Sequence, residues 1–272
     1  MSKIETVRRG QLGNTELRLA RRDQHFFGMA DGSVLTEGDN ADDVWRRLHD
    51  EAGKANPKYF GYDGARGRFL QFFPQGFHSN SYERGERNYK VAAKAKLEST
   101  VPVEQAVTGA GFGEAILSVF RATNLLYPVE KSRLQSVLRG SEADVFIRAA
   151  ANFALGDRKS GLSQMERALK SSDNAKWTVV TYLPFLWRPE EHMFLKPEVT
   201  KDFASRVGHR FAFDYQPRLD IGVYDSLLDL ASKTTTEVAD LKPRDRIDIQ
   251  SFIWVVGAYG EGSEESHPEP AL

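Results

Sequence analysis

The 272-residue chain contains no cysteine, which excludes a disulfide framework, a thiol nucleophile, an iron–sulfur cluster and a thiolate zinc site. Net charge is equally scarce. The 37 Lys and Arg stand against 38 Asp and Glu, so the chain is not a whole-molecule polycation. No stretch approaches the roughly 18 uncharged apolar residues that a membrane span requires. The richest run, residues 179–187, contains Pro184 and is closed by Arg188. Residues 1–10 carry Lys3, Arg8 and Arg9 with no apolar run behind them, so no secretory signal is read there. These absences predict a cytoplasmic protein without a membrane partner, and no motif specifies a cofactor.

What is present is the composition of an ordinary globular protein, 40% hydrophobic and 28% charged. The first hundred residues read as strand-rich. Residues 15–20 alternate and residues 25–29 are aromatic, and Asp31-Gly32 then supplies a tight hairpin turn before residues 33–36. Asp39 or Asn40 can cap a helix with Val44, Trp45 and Leu48 on its apolar face, ended by Gly53. Residues 59–77 mix seven aromatic side chains with Gly61, Gly64, Gly67, Pro74 and Gly76. The glycines argue against a long helix, and residues 68–73 read as a strand.

A helix follows over residues 83–99, and beyond Pro102 the pattern is largely helical. Helices are predicted over 114–124, 130–139, 145–155 and 163–169, with Ser141 and Asp144 resembling a capping box. The β-branched and aromatic residues 177–187 favour a strand. Pro197 and Pro243 each mark a helix start. The fold class is α+β and predominantly helical. It is expected as a strand-rich unit over 1–100, a mainly helical part over 101–260 and an acidic disordered tail over 261–272.

Sites of reaction are hard to find. The six histidines (His25, His49, His78, His192, His209, His267) include no pair at helical ligand spacing, so no metal site is read. Residues 108–113 form a glycine loop before a helix but lack the lysine of a phosphate loop, and Glu114 stands where a phosphate wants positive charge. No serine-nucleophile elbow occurs. Asp214, Asp220, Asp225, Asp229, Asp240, Asp245 and Asp248 crowd the C-terminal third, which keeps a metal-dependent phosphodiester hydrolase open as an alternative. Asp245 and Asp248 also suit the first turn of a helix.

The best positive signal is residues 58–96, where eight cations meet three acids, a local excess of five. Arg66, Arg68, Arg84, Arg87, Lys90 and Lys94 are the candidate nucleic-acid contacts. Arg87, Lys90 and Lys94 fall on one helical stripe beside aromatic residues that can stack on bases. The competing reading is a salt-bridged surface, because Glu83–Arg87, Glu86–Lys90 and Lys94–Glu98 are all i,i+4 pairs. A second patch, Trp187, Arg188, His192 and Lys196, has residue types common at protein interfaces. The function expected is a non-catalytic binding protein, an accessory factor contacting DNA or RNA. The alternatives are a structural subunit that binds a protein partner or itself, and the hydrolase.

Overall fold

The computed structural model describes residues 4–12, 15–54 and 59–259. The acidic tail expected over 261–272 lies outside the described residues, as does Lys58. The fold is α+β and predominantly helical, with an antiparallel sheet at the N-terminus.

Strands β1 (Glu5–Leu12), β2 (Thr15–Arg22), β3 (His25–Ala30) and β4 (Ser33–Gly38) pair in sequence order as a four-stranded meander. Asp31 and Gly32 both take positive φ (45° and 83°), the geometry of the two-residue turn that matches strand twist. Helix α1 (Ala41–Gly53) starts at Asn40, whose side chain accepts from the Asp43 amide. Side chains alternate along a strand, so one face of the sheet turns to α1. On that face a Cβ at Gly28 would meet Thr36, Leu48 and Val44, and one at Gly10 would meet the Trp45 ring. Leu12, Leu17, Leu48 and Ala52 form a small apolar cluster of their own.

The remaining helices are α2 (Gly61–Phe72), α3 (Asn80–Tyr82), α4 (Asn88–Thr100), α5 (Val103–Thr108), α6 (Gly113–Arg121), α7 (Pro128–Leu138), α8 (Ala143–Ala154), α9 (Arg158–Leu169), α10 (Trp177–Trp187), α11 (Pro197–Arg206), α12 (Phe211–Asp214), α13 (Ile221–Glu237) and α14 (Arg246–Ala258). They share one large core that begins at Ala65 and includes Phe69, Phe73, Phe77 and Tyr82. Phe60 packs against this core, and Ala93 and Leu97 of α4 are part of it, so these residues share the core of the later helices and not the small cluster under the sheet. The two units meet where Gly53 lies against Gly208 and where Lys233 pairs with Asp50. None of the described helices is long and apolar enough to cross a membrane.

Three local expectations are corrected. Residues 177–187 form helix α10, not a strand, and all eleven side chains are buried. A helix that is apolar all round belongs at the centre of a core, and its composition mimics that of a buried strand. Residues 68–73 lie mostly in helix α2, also not a strand. Gly64 is there because a Cβ would fall 2.2 Å from Cδ2 of the Phe60 ring, so this glycine serves packing and not flexibility. Asp144 does not close a capping box with Ser141. It accepts from the Gly111 amide at 2.9 Å and so pins the glycine loop with an acid, the opposite of what a phosphate would find.

Candidate functional site

Most of the basic-aromatic block turns inward. A π-helical turn over Glu83–Arg87 joins α3 to α4, and Arg87 leaves it only 11% exposed. Its guanidinium donates to both oxygens of Asp245 at 2.8 and 2.6 Å and to Asp248 at 2.9 Å. Asp248 is fully buried and also accepts from the Tyr82 hydroxyl at 2.7 Å and from the amide and Nε of Arg244, each at 2.9 Å. Burial alone would raise its pKa, but the bonds from Arg244 and Tyr82 and the charge of Arg87 hold it below the usual carboxylate value. Lys90 is fully buried, donating to Glu86 at 3.0 Å and to Ser251 at 2.7 Å, and desolvation lowers its pKa against the pull of Glu86.

The three-cation stripe read on Arg87, Lys90 and Lys94 is therefore absent from the surface. Lys94 pairs with Glu98, Arg66 lies 3.5 Å from Asp240, and Arg68 donates to the Tyr259 carbonyl. Arg84 is exposed and donates back to the Asn80 carbonyl at 3.3 Å. The aromatic members follow the same logic: Phe69 and Phe77 are buried with ring centroids 4.8 Å apart. The block welds α2, α3 and α4 onto α14.

The Trp187 patch divides. Trp187 is buried and donates its indole N–H to the Val101 carbonyl at 2.9 Å. His192 is buried between the Ala154 carbonyl and the Tyr224 hydroxyl, each at 3.0 Å, and burial lowers its pKa. Arg188 stays at the surface, 3.0 Å from Glu191. Lys196 donates to the Leu125 carbonyl and lies 3.8 Å from the centroid of the half-exposed Tyr127 ring.

The carboxylates meet cations and helix ends instead of one another: Asp245 and Asp248 share Arg87, and Asp214 and Asp229 share Arg210. Asp220 and Asp245 cap α13 and α14, Asp225 pairs with Arg158, and Asp240 with Arg66. Among the described residues no three His, Asp or Glu side chains are placed to hold a metal ion.

A cationic surface lies elsewhere, on the side of the sheet turned away from α1. There Arg9 stands directly opposite Arg18 across β1 and β2, and Arg22 opposite His25 across β2 and β3. Like charges placed opposite one another weaken a sheet. Glu16, 3.8 Å from Arg9, relieves one of them, and Asp39 and Glu37 flank His25. Arg18 and Arg22 form no ion pair among the described residues. Phe27 sits in their midst, paired in register with Ala20, with the Arg22 guanidinium 5.5 Å from its ring centroid and the His25 ring at 5.1 Å. Met29 and the half-exposed Val34 extend the apolar strip. Charge counted along the sequence hides this cluster because β2 and β3 are short. Counting alternate residues of β2 (Arg18, Ala20, Arg22) exposes it.

The chain matches no protein-family model, no curated protein and no solved structure.

Proposed function

We propose that the protein is a non-catalytic binding protein, an accessory factor that takes single-stranded nucleic acid on the open face of its N-terminal sheet. One observation carries the reading. Arg9, Arg18 and Arg22 share a sheet face with Phe27, and two of the three arginines lack an acidic partner among the described residues. A phosphate chain across β1 and β2 relieves the repulsion between Arg9 and Arg18 and releases counterions. Phe27, backed by Arg22, offers a ring for a base to stack on. Nothing in this arrangement reads base edges, so binding is sequence-tolerant.

The test is fluorescence anisotropy with labelled mixed-sequence RNA and DNA single strands at roughly 50 mM salt. Wild type binds with a salt-sensitive affinity, the double substitution Arg18→Glu, Arg22→Glu abolishes it, and Phe27→Ala weakens it by about 1–3 kcal/mol. Wild type without salt-sensitive binding, or an unaffected charge-reversal variant, sinks the idea.

A second reading, a structural subunit, draws on the outer edge of the sheet. Val34 and Leu35 are 52% and 43% exposed on β4, which has no neighbour beyond it among the described strands. A partner strand added there would cover both. Light scattering on the purified chain and on Leu35→Lys checks it: a monomer in both cases, with no co-purifying partner, counts against it.

A further inference from the structure

Two aromatic rings flank the Lys196 ammonium on the helical part. The Tyr127 centroid lies 3.8 Å from Nζ and the Trp254 centroid 5.8 Å, so both rings line one notch. Tyr127 is 55% exposed, and Val129, in the first turn of α7, is 52% exposed. A single exposed apolar side chain is ordinary, but a group of them about one cation marks a contact surface.

No acid answers the cations here. Lys196 donates to the Leu125 carbonyl at 3.1 Å and Lys131 to the Thr123 carbonyl, and neither forms an ion pair among the described residues. Glu130 of α7 is buried and committed, accepting from the Tyr127 amide at 2.9 Å and the Thr178 hydroxyl at 2.7 Å. Desolvation lowers the pKa of both lysines, and a carboxylate brought to this surface would counter it.

We infer that the notch holds the chain's own C-terminal segment, residues 260–272, with Pro268 and Pro270 against the Tyr127 and Trp254 rings and Glu269 on Lys196. The segment carries Glu261, Glu264, Glu265 and Glu269 and neither Lys nor Arg, so its charge complements the notch. A Pro-Glu-Pro run favours the extended polyproline conformation, which docks on aromatic grooves with little entropy left to lose. Reach is sufficient. Trp254 lies on α14 itself, five residues before Tyr259 and so about 8 Å along the axis from where the segment begins. Gly257 and the exposed Ala258 stand at i+3 and i+4 from Trp254, so the helix face leading back to the ring carries only small side chains. Extended, residues 260–267 cover up to about 27 Å, enough to return Pro268 to the rings. A foreign peptide would have to make the same contacts unaided, whereas a short tether supplies an effective concentration of about millimolar.

The absence of cysteine permits a single nitroxide label on the full chain, at Ala271→Cys. Paramagnetic broadening is expected at the Val129 and Lys131 amides and the Trp254 indole N–H, and not at the Arg18 and Arg22 amides of the sheet. It is lost in Glu269→Lys and in the pair Pro268→Ser, Pro270→Ser, which leave every described residue unchanged. Lys196→Glu gives the same loss, and Glu269→Lys decides should that variant fail to fold. Arg18→Glu with Arg22→Glu leaves the broadening in place, which separates this site from the nucleic-acid reading. Equal broadening in the Glu269→Lys chain, strongest broadening at the sheet, or broadening of an unlabelled chain by a labelled one (a second copy as the occupant) overturns the assignment.

Discussion

The guanidinium of Arg87 lies 2.9 Å from the carboxylate of Asp248, although 161 residues separate them along the chain. Asp248 is the point where α14, the π turn before α4 and the Tyr82 hydroxyl converge, and it is wholly inaccessible to water. Removing one member of such a group leaves the others buried and unanswered. Asp248→Ala is expected to cost about 3–5 kcal/mol in urea unfolding, far more than an exposed ion pair. Glu114→Ala, which removes only the surface pair with Arg139, is expected to leave the urea midpoint nearly unchanged. Similar losses in the two variants would mean that Asp248 is not a keystone.

This relationship also marks the limit of what the sequence discloses. The alternation of residues 15–20, the Asp31-Gly32 turn and the Asn40 cap are local signals, and the sheet and α1 follow from them. Helix α4 is local too, as is the i,i+4 pair that joins Glu86 of the preceding π turn to Lys90. The destination of Arg87 is not, because its partners lie in α14 and no periodicity links the two segments. The same reason hid the open sheet face, where Arg9 and Arg18 meet only once β1 and β2 are paired. Helix α10 was illegible for another reason: total burial erases the amphipathic stripe that separates helix from strand.

His49 on α1 predicts a pH dependence. It is 7% exposed, neither ring nitrogen has a hydrogen-bond partner, and burial pushes its pKa from 6.5 down to about 4. The charges that reach it come from Asp214, Arg210, Asp50 and His209, with the Trp45 ring 4.9 Å away. The unfolded chain binds this proton more readily than the folded one. The stabilisation is therefore whole above pH 6.5 and is lost as pH falls toward 4, by on the order of 2–3 kcal/mol. His192, lowered in the same direction, adds to the slope. Chemical unfolding between pH 7.5 and 4.5 should show the decline, and His49→Phe should flatten part of it. An identical slope in that variant would remove His49 as the cause.

The union of the two packed units rests on a close backbone approach. A Cβ at Gly53 would fall 2.6 Å from the Gly208 Cα, with the Asp50–Lys233 pair one helical turn away. Gly53→Ala is expected to force the units apart at a cost of about 1–3 kcal/mol, although alanine favours helix. Amide exchange in α1 should quicken in this variant while exchange in α10 stays unchanged. Equal acceleration in both would point to global destabilisation instead.

Two glycines of α2 allow helix propensity and packing to be weighed within one helix. Replacing an interior glycine by alanine favours a helix by about 0.8–1 kcal/mol. At Gly67 an added Cβ meets nothing within 4 Å, so Gly67→Ala should raise stability by about that amount. At Gly64 the Cβ would lie 2.2 Å from Phe60 Cδ2 and 2.8 Å from Phe60 Cβ, too near the backbone for a rotamer change to relieve. Phe60 is itself anchored, its amide donating to the Arg206 carbonyl at 3.0 Å. The clash therefore outweighs the propensity gain, and Gly64→Ala should lower stability by about 1–3 kcal/mol. Paired thermal and urea unfolding of the two variants gives opposite signs if Phe60 packs over the first turns of α2. A stabilising Gly64→Ala would show that glycine there answers to backbone freedom and not to the ring.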